Sequence, residues 1–256
     1  MKGALKESII DYIKFSYEFE GVEFPEMAES IFEEILEEDL AANDAVASFI
    51  DGNKLTAPYE AKYDEMGRYP ESRCLVNYFN IRDRKDLRMI DMFISSVRLC
   101  DMLVHPMEIS LSFTYLQEIH HNMFADIYPS AGMLRSRSVS KRTEFCRPEY
   151  IERQATEIFD KLRSLRFLKD SEDTDDFINE LAYFMGEMEA LHPFNDGNGR
   201  TSRFFFNMLA WNAGYDIIFH AVDPDRFLEA KLAAIDGDYQ PLVDVLEEIV
   251  IRKNED

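Results

Sequence analysis

The run His192-Pro193-Phe194-Asn195-Asp196-Gly197-Asn198-Gly199-Arg200-Thr201-Ser202-Arg203 constrains this chain more than any other stretch. Apolar series at helical spacing flank it: Phe177, Ile178, Leu181, Phe184, Met185 and Met188 before, Phe204, Phe205, Met208 and Leu209 after. The run is therefore a loop between two buried helices. The second helix should end at Gly214, a residue suited to the left-handed turn after a helix. Gly197 to Gly199 then stand at its N-terminal entrance, where backbone N–H groups lack helical partners and the macrodipole favours an anion.

Phosphate suits such an entrance. Arg200 and Arg203, three apart on the first turn, offer planar forks for further phosphate oxygens. Asp196 would repel phosphate unless a hard divalent cation such as Mg²⁺ lies between them, so magnesium is implied. His192 exchanges a proton near neutral pH without a large pKa shift and is assigned as general base. Phe194 reads as an anchor pinning the loop to the core. A lone His before a proline is ordinarily a loop residue or helix cap, but the Gly-Asn-Gly-Arg run reverses those odds.

At every specified position the run matches the Fic family motif, H-P-F-x-(D/E)-G-N-G-R-x-x-R, so the chain resembles that family. The resemblance implies an all-α helical core with one small β-hairpin flap. It implies that His192 takes a proton from a target protein's hydroxyl, which attacks the α-phosphorus of ATP; AMP is transferred and pyrophosphate leaves. By the same likeness Asp196 holds Mg²⁺ on the α- and β-phosphates, Gly197, Asn198 and Gly199 cradle phosphate, and Arg200 and Arg203 bind the β/γ end. Ile127-Tyr128-Pro129-x-Ala131-Gly132-x-x-Arg135 resembles the family's entry to its flap. Ser136, Arg137, Ser138, Val139, Ser140 and Lys141 are the candidates for holding an extended target segment by main-chain hydrogen bonds. Tyr69-Pro70-x-x-x-x-Leu75-x-Asn77 resembles the opening of toxin-type members, and Phe227-Leu228 with Gly237-Asp238 the segment flanking the adenine pocket.

Residues 1–51 carry 14 acidic and 3 basic side chains, half of the chain's net charge of −22, which marks a small N-terminal module. Ile9, Ile10, Ile13 and Tyr17 suggest a first helix stopped by Gly21; Pro25 opens a second with Ala28, Ile31, Phe32, Ile35 and Leu36 inward. Ser16 and Glu20 share a helix face, and Glu20 meets the negative end of the dipole, which is unfavourable without a compensating cation. A solvated glutamate is the bland reading. Yet Ser16-x-x-x-Glu20-Gly21 matches the inhibitory motif (S/T)-x-x-x-E-(G/N) of Fic regulation, in which the glutamate pairs with the second motif arginine, here Arg203, and denies it to the γ-phosphate. Residues 22–51 resemble the small antitoxin that some Fic toxins carry as a separate polypeptide, here fused. Ser48 to Thr56 resembles the inhibitory segment of another subclass, with Asp51 in place of glutamate and Ala47 where Ser or Thr is expected. Glu20 and Asp51 both stand as candidate inhibitory carboxylates.

With 256 residues, 46% of them hydrophobic, the chain can bury a sizeable core. The expected division is an inhibitory helical module over 1–51, a connector over 52–80 punctuated by Gly52, Asn53, Pro58, Gly67 and Pro70, and a catalytic domain over 81–256. Cys74, Cys100 and Cys146 are odd in number and widely spaced, which favours neither a disulfide framework nor a thiolate metal site and fits a reducing cytoplasm. There is no secretory h-region and no run long enough to span a bilayer, so a soluble protein without a membrane partner is expected. The negative charge argues against direct nucleic-acid binding. Residues 134–166, with 9 basic and 5 acidic side chains, form the one net-positive region, facing the triphosphate or an acidic target. His120 and His121 are adjacent, point apart on a helix and read as structural.

The expected function is Mg²⁺-dependent protein adenylylation on a Tyr, Ser or Thr hydroxyl, held low by the N-terminal segment. The expected partner is a target protein presenting that hydroxyl; self-association, with inhibition acting between chains, is left open. One alternative is de-adenylylation, or transfer of phosphate or another nucleotide, at the same site. Another is a non-catalytic interaction protein whose contacts are switched by nucleotide, against which the intact His192 argues.

Overall fold

A computed structural model of the chain describes residues 3–55, 67–140 and 142–253. Lys141 of the expected flap, with Thr56 and Pro58, lies outside the described residues. Packing divides the chain into two compact units, Met1–Ile109 with His120–Met133, and Ser110–Ile119 with Leu134–Asp256. These units are drawn by contact, whereas the expected segments 1–51, 52–80 and 81–256 are drawn along the chain.

In the first unit, α1 (Gly3–Phe19), α2 (Glu26–Leu36) and α3 (Ala42–Gly52) accompany α4 (Arg84–Val104) and the end of α5 (Phe113–Phe124). The apolar spacing read in the N-terminal segment is the face that packs: Ile9, Ile10, Ile13, Phe32, Ile35 and Leu36 are buried. Phe93 of α4 lies 5.7 Å from Phe32 and stacks on Phe49 at 4.0 Å. The acidic module is thus built onto α4 and shares its core. Gly21 stops α1 in the left-handed conformation, φ 65°, and Val22 N–H returns to Tyr17 O at 2.9 Å. A cation does stand at this helix end: Arg88 of α4, whose Nη1 donates to the backbone carbonyl of Glu20 at 2.8 Å. His120 and His121 hold a turn: Gly132 N–H donates to His120 Nδ1 at 2.8 Å, and His121 Nδ1 lies 3.3 Å from Ala131 O.

The second unit is built around α7 (Thr174–Leu191), with α6 (Ile151–Ser164), α8 (Asn198–Asn212), α9 (Pro224–Ile235) and α10 (Gln240–Ile249) against it. Asp173 caps α7 by accepting from Asp176 N–H at 2.9 Å. Gly186 is where α7 meets its neighbours most closely: a Cβ there would fall 2.7 Å from Tyr239 Cε1 and 2.9 Å from Ala234 Cβ. Gly214, at φ 89°, follows the end of α8 as expected.

Among the described residues the fold is mostly helical with a small antiparallel sheet, and that sheet lies outside the flap. It pairs β1 (Tyr215–Ile217) with β2 (Val250–Arg252), in register Tyr215↔Arg252, Asp216↔Ile251 and Ile217↔Val250. Val250 follows the end of α10 and opens β2. Among the described residues of the flap region the pairing is a bridge, Ser140↔Glu144, with Phe145 N–H reaching Val139 O at 3.4 Å. Ser136-Arg137-Ser138-Val139-Ser140 offers a single apolar side chain to bury, and a two-stranded ladder with so little apolar face is marginal in water. No helix among the described residues is long and apolar enough to cross a membrane.

Candidate active site

α7 ends at His192, which caps it in the left-handed conformation, φ 42° and ψ 61°. Pro193 prevents the helix from continuing. A non-glycine residue there costs roughly 1–2 kcal/mol, and Arg135 holds the turn. Its side chain is 2% exposed. Nε donates to His192 O at 2.6 Å, Nη2 to Leu191 O at 3.3 Å and to Cys146 O, and Nη1 to Arg137 O at 2.9 Å. The Arg135 N–H donates to Pro193 O at 2.9 Å. One buried guanidinium therefore ties both sides of the flap to the turn bearing His192, although burial draws its pKa downward.

The imidazole is packed as well as tethered. Phe145 stacks on the His192 ring at 3.9 Å and 6°. Behind it, Glu189 Oε1 lies 3.8 Å from His192 Nδ1, and Glu189 Oε2 pairs with Lys231 Nζ at 2.9 Å. On the open side, Ser138, Val139, Ser140, Glu144, Phe145, Arg147 and Glu149 line a groove of about 410 Å³. Phe145 is thus at once a wall of that groove and the cover of the imidazole.

Beyond Pro193 the loop is closed by Asn198: its Oδ1 accepts from Phe194 N–H at 2.9 Å and its Nδ2 donates to Phe194 O at 2.8 Å. Phe194, 1% exposed, is the anchor expected of it. Gly197 sits at φ 75° as the N-cap of α8, which has no side-chain cap. Gly197 has no side chain with which to cap the amides opening α8, and a helix entrance of this kind favours an anion. Arg200 and Arg203 follow on the first two turns, both buried. Asp196 is exposed, one of its oxygens accepting from Gly197 N–H at 2.8 Å.

A profile of the Fic/DOC family matches residues 110–210, which hold the flap and the His192–Arg203 loop. The Sinorhizobium fredii protein named "Probable protein adenylyltransferase y4lH" is 34% identical over 175 residues, 68% of this chain and 90% of its own length. The chain belongs to the Fic/DOC family. This Fic protein is also 28% identical over 188 residues to "Probable protein adenylyltransferase Fic" of Escherichia coli, covering 73% of this chain and 92% of the relative. The ADP-bound N-terminal Fic domain of a Bartonella quintana Bep effector superposes with TM-score 0.67 at 22% identity, covering 73% of this chain and 94% of that one. That likeness carries the fold.

In this Fic protein the structure brings His192, Asp196, Gly197, Asn198, Gly199, Arg200 and Arg203 into one loop and the first two turns of α8. Ser136, Arg137, Ser138, Val139 and Ser140 lie in the same unit; Ser16, buried, and Glu20, half-buried, lie in the other. The Asn198 side chain is engaged with Phe194, so any contribution it makes to phosphate is through its amide. Gly199 has a second reason to be glycine, since a Cβ there would stand 3.3 Å from Arg203 Nη1.

Among the described residues there is no group of three or more His, Cys, Asp or Glu that would hold a metal ion. Mg²⁺ binds through one or two carboxylates and completes its shell with phosphate oxygens and water. The single exposed carboxylate of Asp196, at the mouth of α8, fits an ion arriving with a triphosphate. Sequence reasoning missed Phe145, Glu189 and Lys231 and left Arg135 without a role. The available signal was Glu189, a charge on a buried helix three residues before His192, hence on the same face.

Proposed function

We propose that this protein transfers AMP from ATP to a hydroxyl side chain, Tyr, Ser or Thr, of a target protein. The observation that carries the reading is the placement of His192, stacked under the wall of a substrate-sized groove and one short loop from the uncapped entrance of α8. The amides of Gly197, Asn198 and Gly199 receive phosphate oxygens, and the Arg200 and Arg203 guanidiniums grip the β/γ end. Asp196 would hold Mg²⁺, which when bound neutralises charge on the α- and β-phosphates. Ser138, Val139 and Ser140 present main chain to an extended target segment, a form of strand addition. His192 accepts the hydroxyl proton at a ring nitrogen, the oxygen bonds to the α-phosphorus, and the bond to the bridging oxygen breaks as pyrophosphate leaves. The adenylyltransferase names of the relatives support this reaction over other chemistry at the same site.

Regulation belongs to the same proposal. Ser16-x-x-x-Glu20-Gly21 acts as an inhibitory segment, with the Glu20 carboxylate competing with the γ-phosphate for Arg203, and residues 22–51 serve as a fused antitoxin. Labelled AMP supplied as ATP to a host lysate, with wild type, Glu20→Gly and His192→Ala compared, tests both parts. Glu20→Gly should label more strongly than wild type, and His192→Ala should lose on the order of 10²- to 10⁴-fold. Equal labelling by all three proteins would refute the scheme.

A further inference from the structure

We infer that the buried ion pair Glu189–Lys231 is a positioning device for His192, holding the imidazole in the tautomer and orientation that proton transfer needs. This rests on His192 being the base of the proposed reaction. The side chains of Glu189 and Lys231 are 7% and 6% exposed, and that of His192 is 10% exposed. Taking two charges out of water is expensive, and a well-packed apolar pair of similar volume is often at least as stable. Stability alone therefore gives little reason for an ion pair between α7 and α9. Its geometry gives a better one.

Lys231 Nζ engages Glu189 Oε2 at 2.9 Å and leaves the other carboxylate oxygen, Oε1, toward His192 Nδ1 at 3.8 Å. Phe145 covers the ring face at 3.9 Å and Arg135 holds the backbone carbonyl at 2.6 Å, so face, backbone and edge of His192 are each restrained. A carboxylate beside Nδ1 favours the neutral tautomer protonated there and leaves the Nε2 lone pair to accept the hydroxyl proton. Once Nε2 is protonated, the imidazolium has its counter-charge already in place, while Glu189 itself takes up no proton. The separation exceeds a hydrogen bond, and such contacts commonly tighten in the substrate complex. Other charged groups on the elements around His192 include Arg135, Arg137, Glu144, Arg147, Glu149, Glu187, Asp196, Arg200 and Arg203, and Glu189 is a carboxylate recorded against the ring.

The test uses the full-length protein with ¹⁵N-labelled histidine, His192 assigned by its loss in His192→Ala. Its ring resonances are titrated from about pH 5 to 9, and AMP transfer is measured on the same samples. In Glu189→Gln the His192 pKa should fall by about one pH unit and kcat by roughly tenfold, with KM for ATP unchanged. Glu189→Asp should return the titration toward wild type. If Glu189→Gln does not fold, because Lys231 is left buried without its partner, the uncharged double variant Glu189→Gln/Lys231→Met carries the same expectation. An unmoved titration and unmoved kcat in the folded variants overturn the inference. A moved titration in a protein that transfers no AMP would instead sink the functional reading and leave the pair standing.

Discussion

Arg135 does more for the geometry of this site than any residue of the motif loop except His192. A single guanidinium reaches the carbonyls of Arg137, Cys146, Leu191 and His192, partners 2 to 57 residues away along the chain. A lysine ammonium is a point charge with three donors on a flexible stem and cannot reproduce that planar fork. Arg135→Lys is expected to cost about 1–3 kcal/mol of stability and to lower kcat, as the left-handed turn at His192 loses its restraint. Urea unfolding and AMP transfer measured on the same variant check both. Asn198 plays a smaller version of the same part. Asn198→Ala strands the N–H and C=O of Phe194 and should cost about 1–3 kcal/mol, whereas Asn198→Asp, which keeps the acceptor for Phe194 N–H, should cost less; thermal melts of the two variants rank them.

Helix α7 is the element on which the site depends, because it ends in His192 and carries Glu189 on the turn before it. Its position is set by close approach as well as by apolar bulk. At Gly186 an added methyl would meet a tyrosine ring that is itself held, since Tyr239 donates to Glu187 at 2.8 Å. Gly186→Ala should improve helix propensity by about 1 kcal/mol yet lose roughly 1–3 kcal/mol to overpacking, so a net fall in Tm is expected; a rise would mean that Tyr239 moves aside freely. Gly186 is legible as a glycine in a helical pattern but not as a contact, because its neighbours come from residues about 50 positions further on. The turn after α6 is illegible for a different reason. Arg166, Phe167 and Leu168 are all left-handed, at φ 48°, 58° and 60°, with nothing in their side chains to announce it. Leu168 is 2% exposed, so burial in the tertiary structure overrides the local preference.

For the protein as a whole, buried acids with raised pKa values set the alkaline limit of stability. Burial pushes the Cys100 thiol up from its ordinary 9.0, and pushes Tyr115 up from 10.0 to about 12. Tyr239 is raised by burial and then by its hydrogen bond to Glu187. Above their ordinary values the unfolded chain releases these protons while the folded chain keeps them, so stability falls as pH rises. Their contribution is complete below about pH 9 and is lost progressively above it. Calorimetry should find a Tm insensitive to these groups from neutral pH to about 9 and declining beyond; a Tm that climbs between pH 9 and 11 would contradict the assignment.

The make-up of the motif loop is legible in the sequence, because its parts are neighbours in the chain. A helix entrance with two glycines, a histidine four residues before an aspartate and two arginines on one turn have their meaning through adjacency alone. The helices were readable too, since a period of 3.6 is a local property. What such a pattern states is that a face is buried, not what buries it. The stack of Phe145 on His192, the reach of Arg135, the pairing of Glu189 with Lys231 and the pairing of β1 with β2 all join residues tens of positions apart. Those unions depend on how the helices pack in three dimensions, and no spacing along the chain records them.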